Sequence, residues 1–182
     1  IEEKHMAEPL KALNLKRWID EHRHLLKPPV GAEVIWKDSQ FMVMLIGGPN
    51  ARRDFHIDPR DEFFYQLEGD MILELIEERG KRQREKIREG DVLLLPANTP
   101  HSPQRPANTV GLVVEPVRGS HEPESYAWYC EQCDAKLYDM SRGEGDLLLD
   151  LRRVSEKFNA SEALRTCRPC GYVQPVATGP RL

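Results

Sequence analysis

Two histidines and one glutamate in this sequence are candidate ligands of a metal ion. The segment HIDPRDE begins with His56 and ends with Glu62, and His101 follows the run GDVLLLPANTP. Two imidazoles and a carboxylate can hold a ferrous ion on one face and leave the other positions open for substrate and oxygen. The spacing by itself is also compatible with an ordinary polar turn, so other parts of the chain must decide.

Two arginines lie near these histidines in the sequence. Arg52 precedes His56 by four residues, and Arg105 follows His101 by four residues. Guanidinium groups pair bidentately with carboxylates, so two of them beside a metal indicate a clamp for a carboxylate substrate.

Ion pairs with nearby surface acids are the alternative for every arginine in this region, and we favour them for Arg53 and Arg60. Glu115 ends the apolar run GLVVE. It is either solvated or an inward-facing acid/base group, and a metal and cationic clamp nearby favour the second interpretation.

Four cysteines form two CxxC pairs, Cys130 with Cys133 and Cys167 with Cys170. Four thiolates suit a tetrahedral zinc or iron ion. Disulfides are the weaker alternative in a reducing compartment, and a redox-active CxxC would more naturally open a helix in a βαβ unit. The sequence therefore predicts a structural metal site.

The elements that position these residues are predicted to be mostly strands. The segment 13–26 (LNLKRWIDEHRHLL) has the apolar stripe of an amphipathic helix, with Asn14 as its N-cap. From about residue 33, short β runs alternate with Gly, Pro, Asn and Asp, which indicates an antiparallel sandwich or barrel. We expect His56 and His101 in loops at strand ends, where the mouth of a barrel accommodates a ligand.

The composition changes after Pro116. The segment SHEPESYAWYC is predicted to be loop-like, and 147–158 (LLLDLRRVSEKF) to be a helix. Residues 1–6 (IEEKHM) are interpreted as a cloning remnant, with Met6 as the natural start. We assign residues 7–120 to a catalytic barrel with an N-terminal helix, and residues 121–182 to an appendage carrying the four-cysteine site.

Charge and hydropathy exclude several partner classes. The formal net charge is −4, and the basic residues are mixed with acidic ones. This pattern argues against nucleic acid and anionic membranes as partners. No apolar run approaches the roughly 18 to 20 residues of a membrane span, and there is no signal-peptide pattern. We expect a cytoplasmic protein.

Two segments together resemble the paired motifs of the cupin superfamily. The first, HIDPRDEFFYQLEG, places His56, Asp58, Glu62 and Gly69, and the second places Gly90, Pro96 and His101. Three positions depart from the pattern: Asp58 stands where many cupins have a second histidine, Asn98 replaces a glycine, and Arg105 replaces the final asparagine. The resemblance implies an all-β fold, a cupin barrel (double-stranded β-helix or jelly roll).

A closer resemblance extends over nearly the whole barrel. The strings EFFYQLEGD, LLLPANTPHSPQRP and NTVGLVVE resemble the 3-hydroxyanthranilate 3,4-dioxygenase family, and the CxxC pairs resemble its short bacterial form. The resemblance implies an extradiol-type enzyme that uses Fe(II) and O2 to convert 3-hydroxyanthranilate into 2-amino-3-carboxymuconate semialdehyde. That product precedes quinolinate in the kynurenine route to NAD. The family resemblance further implies a homodimer.

The same resemblance assigns roles to individual residues. It implies that His56, Glu62 and His101 bind the catalytic iron, and that the four cysteines hold a second Fe or Zn. Arg52 and Arg105 match the groups that hold the substrate carboxylate, and Glu115 matches the group facing the substrate hydroxyl and amine. Ala32 departs from the family, which usually has asparagine at that position.

Two other functions fit parts of the sequence. A non-catalytic cupin that binds an aromatic carboxylate as a sensor would also need the arginines, but it would not need ferrous iron with open positions. A metal-dependent isomerase on the same fold is poorly supported by Asp58 and by the paired arginines.

Overall fold

The structure is a computed structural model that describes residues 11–28, 31–36, 39–50, 52–119, 121–142 and 155–176. Helix α1 spans Leu15–His22 and continues into a 3-10 turn at Arg23–Leu26. The Asn14 side chain accepts a hydrogen bond from the Arg17 backbone N–H at 2.9 Å, which confirms it as the N-cap. The cloning remnant proposed at residues 1–6 lies outside the described residues.

Strands make up most of the rest of the described chain. Their bounds are β1 Ala32–Trp36, β2 Phe41–Gly47, β3 Asp54–Ile57, β4 Glu62–Glu68, β5 Met71–Ile76, β6 Arg82–Ile87, β7 Val92–Leu95, β8 His101–Gln104, β9 Val110–Pro116, β10 Glu124–Tyr129 and β11 Lys136–Arg142.

The strands form two antiparallel sheets. One has the order β1-β2-β9-β4-β7, and the other has the order β11-β10-β3-β8-β5-β6. Neighbours in these orders are mostly distant in sequence, as β2 beside β9 shows, so most of the pairing is non-local. The predicted all-β cupin barrel is confirmed.

Both histidines of the predicted metal site belong to strands, so their predicted placement in strand-end loops is wrong. His56 belongs to β3 and pairs with His101, the first residue of β8. These two strands are four residues long, and HSPQ contains a proline and no apolar alternation. Such a strand has no periodic signal of its own, and it forms because its neighbours pair with it.

The segment predicted to be loop-like before the first CxxC is also a strand. Residues 124–129 form β10, which pairs with β3 on one side and β11 on the other. Its sequence, ESYAWY, is rich in aromatic residues that favour strands, but the acids and prolines just before it obscured that signal. Two strands after residue 120 therefore extend the sheet that carries His56.

The main apolar core lies within the barrel. Its buried members share the inner faces of the sheets; they are Phe64, Met71, Leu73, Ile87, Leu95 and Val113. A second cluster forms where α1 and the 3-10 turn cover Leu45 and Val110. These packed layers hold the strands that carry the candidate site.

The C-terminal helices cover the far end of the second sheet. Residues 155–160 are helical (α2), and α3 spans Glu162–Arg165. Phe158 is 1 % exposed and its ring stacks on Trp128 with centroids 4.8 Å apart. Residues 147–154 of the helix predicted at 147–158 lie outside the described residues. Within the described part of the chain, no helix is long and apolar enough to cross a membrane.

Candidate active site

His56, Glu62 and His101 converge on one point inside the barrel. Glu62 is the first residue of β4, and its Oε1 atom lies 3.5 Å from His56 Nδ1 and 3.3 Å from His101 Nε2. All three residues are almost completely enclosed, and their ligand atoms lie within 4.8 Å of one another. The structure thus brings together the three residues that the sequence singled out.

The second nitrogen of each imidazole has its own partner. His56 Nε2 lies 2.6 Å from Glu124 Oε2, and His101 Nδ1 lies 3.0 Å from the Thr99 carbonyl oxygen. When these nitrogens carry the protons, Nδ1 of His56 and Nε2 of His101 present lone pairs toward Glu62. Metal-binding histidines are typically held in this way.

The arrangement fits a divalent metal ion. Glu62 Oε1 is buried and has no hydrogen-bond partner among the described residues, although a buried carboxylate oxygen normally needs one. Ligand atoms that bind one ion through bonds of about 2 Å stand about 3 Å apart, close to the two distances measured here. Buried Asp58 and Glu115 add negative charge around Glu62. A cation held by two imidazoles and a carboxylate satisfies all of these groups.

The charged groups of the site shift one another's pKa values. Burial lowers the pKa of His56, but the hydrogen bond to Glu124 and the charge of Glu62 outweigh it and raise the pKa to about 10. Burial raises the pKa of Glu62, yet the neighbouring histidines hold that pKa well below its usual range. A metal ion binding to His56 would therefore displace a proton.

Arg105 is buried against Gln66, which lies on the same strand as Glu62, and most of the Arg105 donors are unused. Its side chain is 2 % exposed, and its Nη1 donates to Gln66 Oε1 at 3.1 Å. Its Nε and Nη2 have no hydrogen-bond partner in the parts of the chain that the structure describes. Burial and the nearby charge of Arg52 lower the pKa of Arg105 to about 10. Two free, buried donors on one guanidinium are a binding site for an anion such as a carboxylate.

Arg52 is held by a partner that the sequence did not indicate. Its Nη2 and Nε donate to Asp54 Oδ2 at 2.5 Å and 3.2 Å. Burial lowers the pKa of Arg52, but the Asp54 carboxylate outweighs this and raises it. Arg52 also lines a polar cavity of about 430 Å³. The two predicted clamp residues therefore lie near each other but differ, because Arg52 is already paired.

Glu115 faces inward on β9, as its position at the end of an apolar run indicated. It is 4 % exposed, and its carboxylate lies within 4.8 Å of those of Asp58 and Glu62. Burial, reinforced by the charge of Glu62, raises the pKa of Glu115 to about 7. A carboxyl group with this pKa can accept or donate a proton near neutral pH.

The two arginines expected at the surface do form ion pairs there. Arg53 pairs with Glu131, and Arg60 pairs with Glu122 at 2.6 Å. Asn98, which replaces a cupin glycine, has φ of 62°, in the left-handed region that asparagine tolerates better than most residues. Ala32, which replaces the family's asparagine, is the first residue of β1.

Two residues of the site were missed from the sequence. Glu124 contacts His56, and Arg118 Nη1 lies 2.8 Å from Glu124 Oε2 and 3.3 Å from Asp58 Oδ2. Glu124 lies in the segment that was predicted to be a loop at the start of the appendage, and Arg118 lies in the last residues assigned to the barrel, where no role was predicted. Recognising ESYAWY as a strand was the one signal that could have placed Glu124 near the barrel.

The four cysteines form a second cluster at the end of β10. Their sulfur atoms lie within 4.8 Å of one another; Cys130 and Cys170 are 3.6 Å apart, and Cys133 and Cys167 are 3.5 Å apart. Sulfurs about 2.3 Å from one tetrahedral ion are separated by nearly 3.8 Å, so the cluster fits zinc or iron. No two of these cysteines form a disulfide.

Both CxxC pairs have the same backbone conformation. In each pair, the backbone N–H of the first cysteine donates a hydrogen bond to the carbonyl oxygen five residues later. Cys130 donates to Ala135 and Cys167 donates to Tyr172, each at 2.8 Å. The residue after each second cysteine, Asp134 or Gly171, has positive φ. The Ala135 N–H and the Cys170 sulfur lower the pKa of Cys133 to about 7, which favours a thiolate. Two matched loops of this kind present four sulfurs to one ion.

Among solved structures, the chain resembles a cupin-2 domain protein from Shewanella frigidimarina, with a TM-score of 0.41 and 17 % identity over 47 % of this chain and 79 % of that one. It also resembles protein NMB1881 from Neisseria meningitidis, with a TM-score of 0.45 and 21 % identity over 59 % of this chain and all of that one.

Sequence comparison gives much stronger matches. Residues 7–159 match the family model of 3-hydroxyanthranilic acid dioxygenase. A 3-hydroxyanthranilate 3,4-dioxygenase from Bacillus thuringiensis is 45 % identical over 96 % of this chain and 97 % of its own. One from Shewanella woodyi is 47 % identical over 91 % of this chain and 88 % of its own. The chain belongs to the 3-hydroxyanthranilic acid dioxygenase family.

Proposed function

We propose that this protein is a ring-cleaving dioxygenase that converts 3-hydroxyanthranilate and O2 into 2-amino-3-carboxymuconate semialdehyde. The observation that carries the proposal is that β4 connects two sets of buried groups. His56, Glu62 and His101 offer three converging ligand atoms, and Arg105, which contacts Gln66 on the strand of Glu62, offers two unused donors. Family membership supports the same reaction.

The catalytic metal is proposed to be Fe(II), held by His56, Glu62 and His101. Two imidazoles and one carboxylate are the ligands of many non-haem Fe(II) oxygenases, and they leave coordination positions free. When bound, ferrous iron supplies the redox chemistry that allows dioxygen to react with an electron-rich aromatic ring. Both oxygen atoms are retained in the product, so no external reductant is needed.

Arg105 is the main group that binds the substrate carboxylate. Its Nε and Nη2 can donate two parallel hydrogen bonds to the two carboxylate oxygens. Arg52 adds positive charge from the same side while Asp54 holds its guanidinium in place. Together they orient the ring and offset negative charge that develops during oxygen insertion.

Glu115 is the group that takes the proton from the substrate hydroxyl. It is buried near Glu62, and its pKa of about 7 matches the proton-accepting role near neutral pH.

The proposal is tested by anaerobic reconstitution with Fe(II), addition of 3-hydroxyanthranilate, and exposure to air. We expect loss of substrate and appearance of the ring-opened product. Glu62→Gln removes a charged ligand, so bound iron and turnover should both be lost. Glu85→Gln, which changes an exposed glutamate on β6, is the matched control and should behave like the parent protein. Substrate that binds but is never consumed would favour the non-catalytic sensor instead.

We also infer that the four cysteines hold a structural zinc or iron ion. The cluster lies at the end of β10, and all four protein ligands are supplied, which leaves no open position for substrate. Closed sites of this kind stabilise a fold and do not take part in a reaction.

A homodimer is the proposed quaternary state. The outer face of the first sheet carries a row of apolar residues that crosses all five strands. Each member lies opposite the next in the strand register, in the order Trp36, Val43, Val114, Phe63 and Leu94. We call this set the outer row. Trp36, Phe63 and Leu94 are 50 %, 37 % and 62 % exposed. A contiguous apolar surface of this kind is typical of an interface, and a second copy is the partner that the family suggests.

A further inference from the structure

We propose that Glu124 is a positioning residue for the metal centre, and that it sets the affinity of the site for Fe(II) by fixing the orientation and basicity of the His56 imidazole. The inference rests on the proposed function, because it takes His56 as a metal ligand.

Glu124 reaches His56 from a neighbouring strand. It is the first residue of β10, which pairs with β3 so that Tyr126 lies opposite His56. The Glu124 carboxylate is 2 % exposed, and its Oε2 lies 2.6 Å from His56 Nε2. A short bond to an enclosed carboxylate keeps the proton on Nε2. The other nitrogen, Nδ1, lies 3.5 Å from Glu62 Oε1, and it is the nitrogen that gives up its proton and donates a lone pair when a metal binds.

Two further groups hold Glu124 in place. Arg118 Nη1 and the Tyr126 hydroxyl approach the same oxygen, Oε2, at 2.8 Å and 3.1 Å. Burial alone raises the pKa of Glu124, but the contacts with His56 and Arg118 outweigh it and keep the carboxyl ionised. The Tyr126 ring also stacks on the His56 ring with centroids 5.2 Å apart. The orientation of the imidazole is thus restricted from its edge and from its face.

The two metal-site histidines differ in their outer partners. His101 Nδ1 has a neutral partner, the Thr99 carbonyl, whereas His56 has a carboxylate. A carboxylate draws the shared proton more strongly and leaves more electron density on the ligand nitrogen. His56 is therefore the stronger donor of the pair, and this depends on a residue outside both cupin motifs.

The test is Fe(II) affinity measured by chelator competition under anaerobic conditions, with the cysteine site filled by zinc. Loss of such a partner weakens metal binding by roughly 10- to 100-fold. We expect a loss of this size for Glu124→Ala. Glu124→Gln, which keeps an acceptor but not the charge, should lose less affinity than Glu124→Ala does. Glu122→Ala is the matched control, since Glu122 pairs with Arg60 and not with the site; its affinity should not change.

A second readout separates positioning from simple stability. With zinc in the site and labelled histidine, nitrogen NMR should show a protonated Nε2 on His56 in the parent protein, and loss of that fixed tautomer in Glu124→Ala. If Glu124→Ala does not fold, Glu124→Gln carries the decision by the same two measurements. Unchanged Fe(II) affinity and an unchanged tautomer would overturn the proposal. Absence of Fe(II) binding in the parent protein would instead refute the proposed function.

Discussion

At the scale of single residues, Gly111 determines where the Arg105 guanidinium can lie. Gly111 is on β9, and a Cβ atom at this position would lie 2.5 Å from Arg105 Nη1 and 2.8 Å from Nη2. Real Cβ atoms do not approach other atoms so closely, so any side chain here must displace the guanidinium. The proposed carboxylate site therefore requires a residue without a side chain at position 111.

Gly111→Ala is expected to weaken substrate recognition without removing a polar group. Displacing both donors of Arg105 should lower kcat/KM for 3-hydroxyanthranilate by roughly 10- to 100-fold, or about 1.4 to 2.8 kcal/mol. Steady-state kinetics on the iron-loaded protein measures this, while Fe(II) content should stay normal. Gly119→Ala is the control, because its Cβ would have no neighbour closer than 3.4 Å. Parent-like kinetics in a folded Gly111→Ala would contradict the role given to Arg105.

At the scale of elements, β10 joins the two proposed metal sites. Glu124 at its start contacts His56, and Cys130 follows its last residue, Tyr129. Between these ends, four residues of β10 pair with β3. Strand β3, which carries His56, is therefore paired with β10 along its whole length by backbone hydrogen bonds. Those bonds do not depend on the cysteine cluster.

Replacing Cys130 and Cys133 together with serine should loosen the tail and leave catalysis largely intact. The two CxxC loops come from distant parts of the sequence, so the proposed shared ion would link residues 130–135 to residues 167–172. Hydrogen exchange should become faster in residues 167–174, and single-turnover product formation should persist. Complete loss of product in a folded protein would show that the cysteine site does more than stabilise the fold.

At the scale of the whole molecule, the two faces of the first sheet differ. Its inner face lines the main core through Phe64, Leu95 and Val113. On its outer face, α1 and the 3-10 turn cover Leu45, but the described part of the chain leaves Trp36, Phe63 and Leu94 of the outer row exposed. An uncovered row that spans a sheet is the place where a second copy can bury apolar area.

Leu94→Lys is expected to disrupt the homodimer. Leu94 is 62 % exposed at the end of the outer row, so lysine can be accommodated in the monomer but places a charge in the proposed interface. Sedimentation analysis should show a shift from dimer to monomer at micromolar concentration. Leu13→Lys, at an exposed leucine outside the outer row, should leave the mass unchanged. A monomeric parent protein, or a fully dimeric Leu94→Lys, would rule out this surface.

The sequence by itself was sufficient to identify the candidate site residues that lie within short motifs. His56 and Glu62 lie in one short segment, and the types and spacing of the residues around them and around His101 limit the chemistry to a few families. The four cysteines are equally informative, because CxxC spacing already presents two sulfurs from one loop. The apolar runs EVIW, FMVMLIG, EFFYQLE, MILELI, VLLL and VGLVVEP, each bounded by turn residues, indicated the positions of β1, β2, β4, β5, β7 and β9.

Only the tertiary structure decided which distant groups contact the motif residues. Glu124 reaches the proposed metal site through the pairing of β10 with β3, and Arg118 contacts Glu124 from the segment that follows β9. Gly111 on β9 lies against the Arg105 guanidinium. Strand β8 (HSPQ) has no apolar alternation, and strand β3 (DFHI) is only four residues long, so both depend on pairing with neighbours that come from far along the chain. Non-local hydrogen bonds set that register, and no local pattern records it.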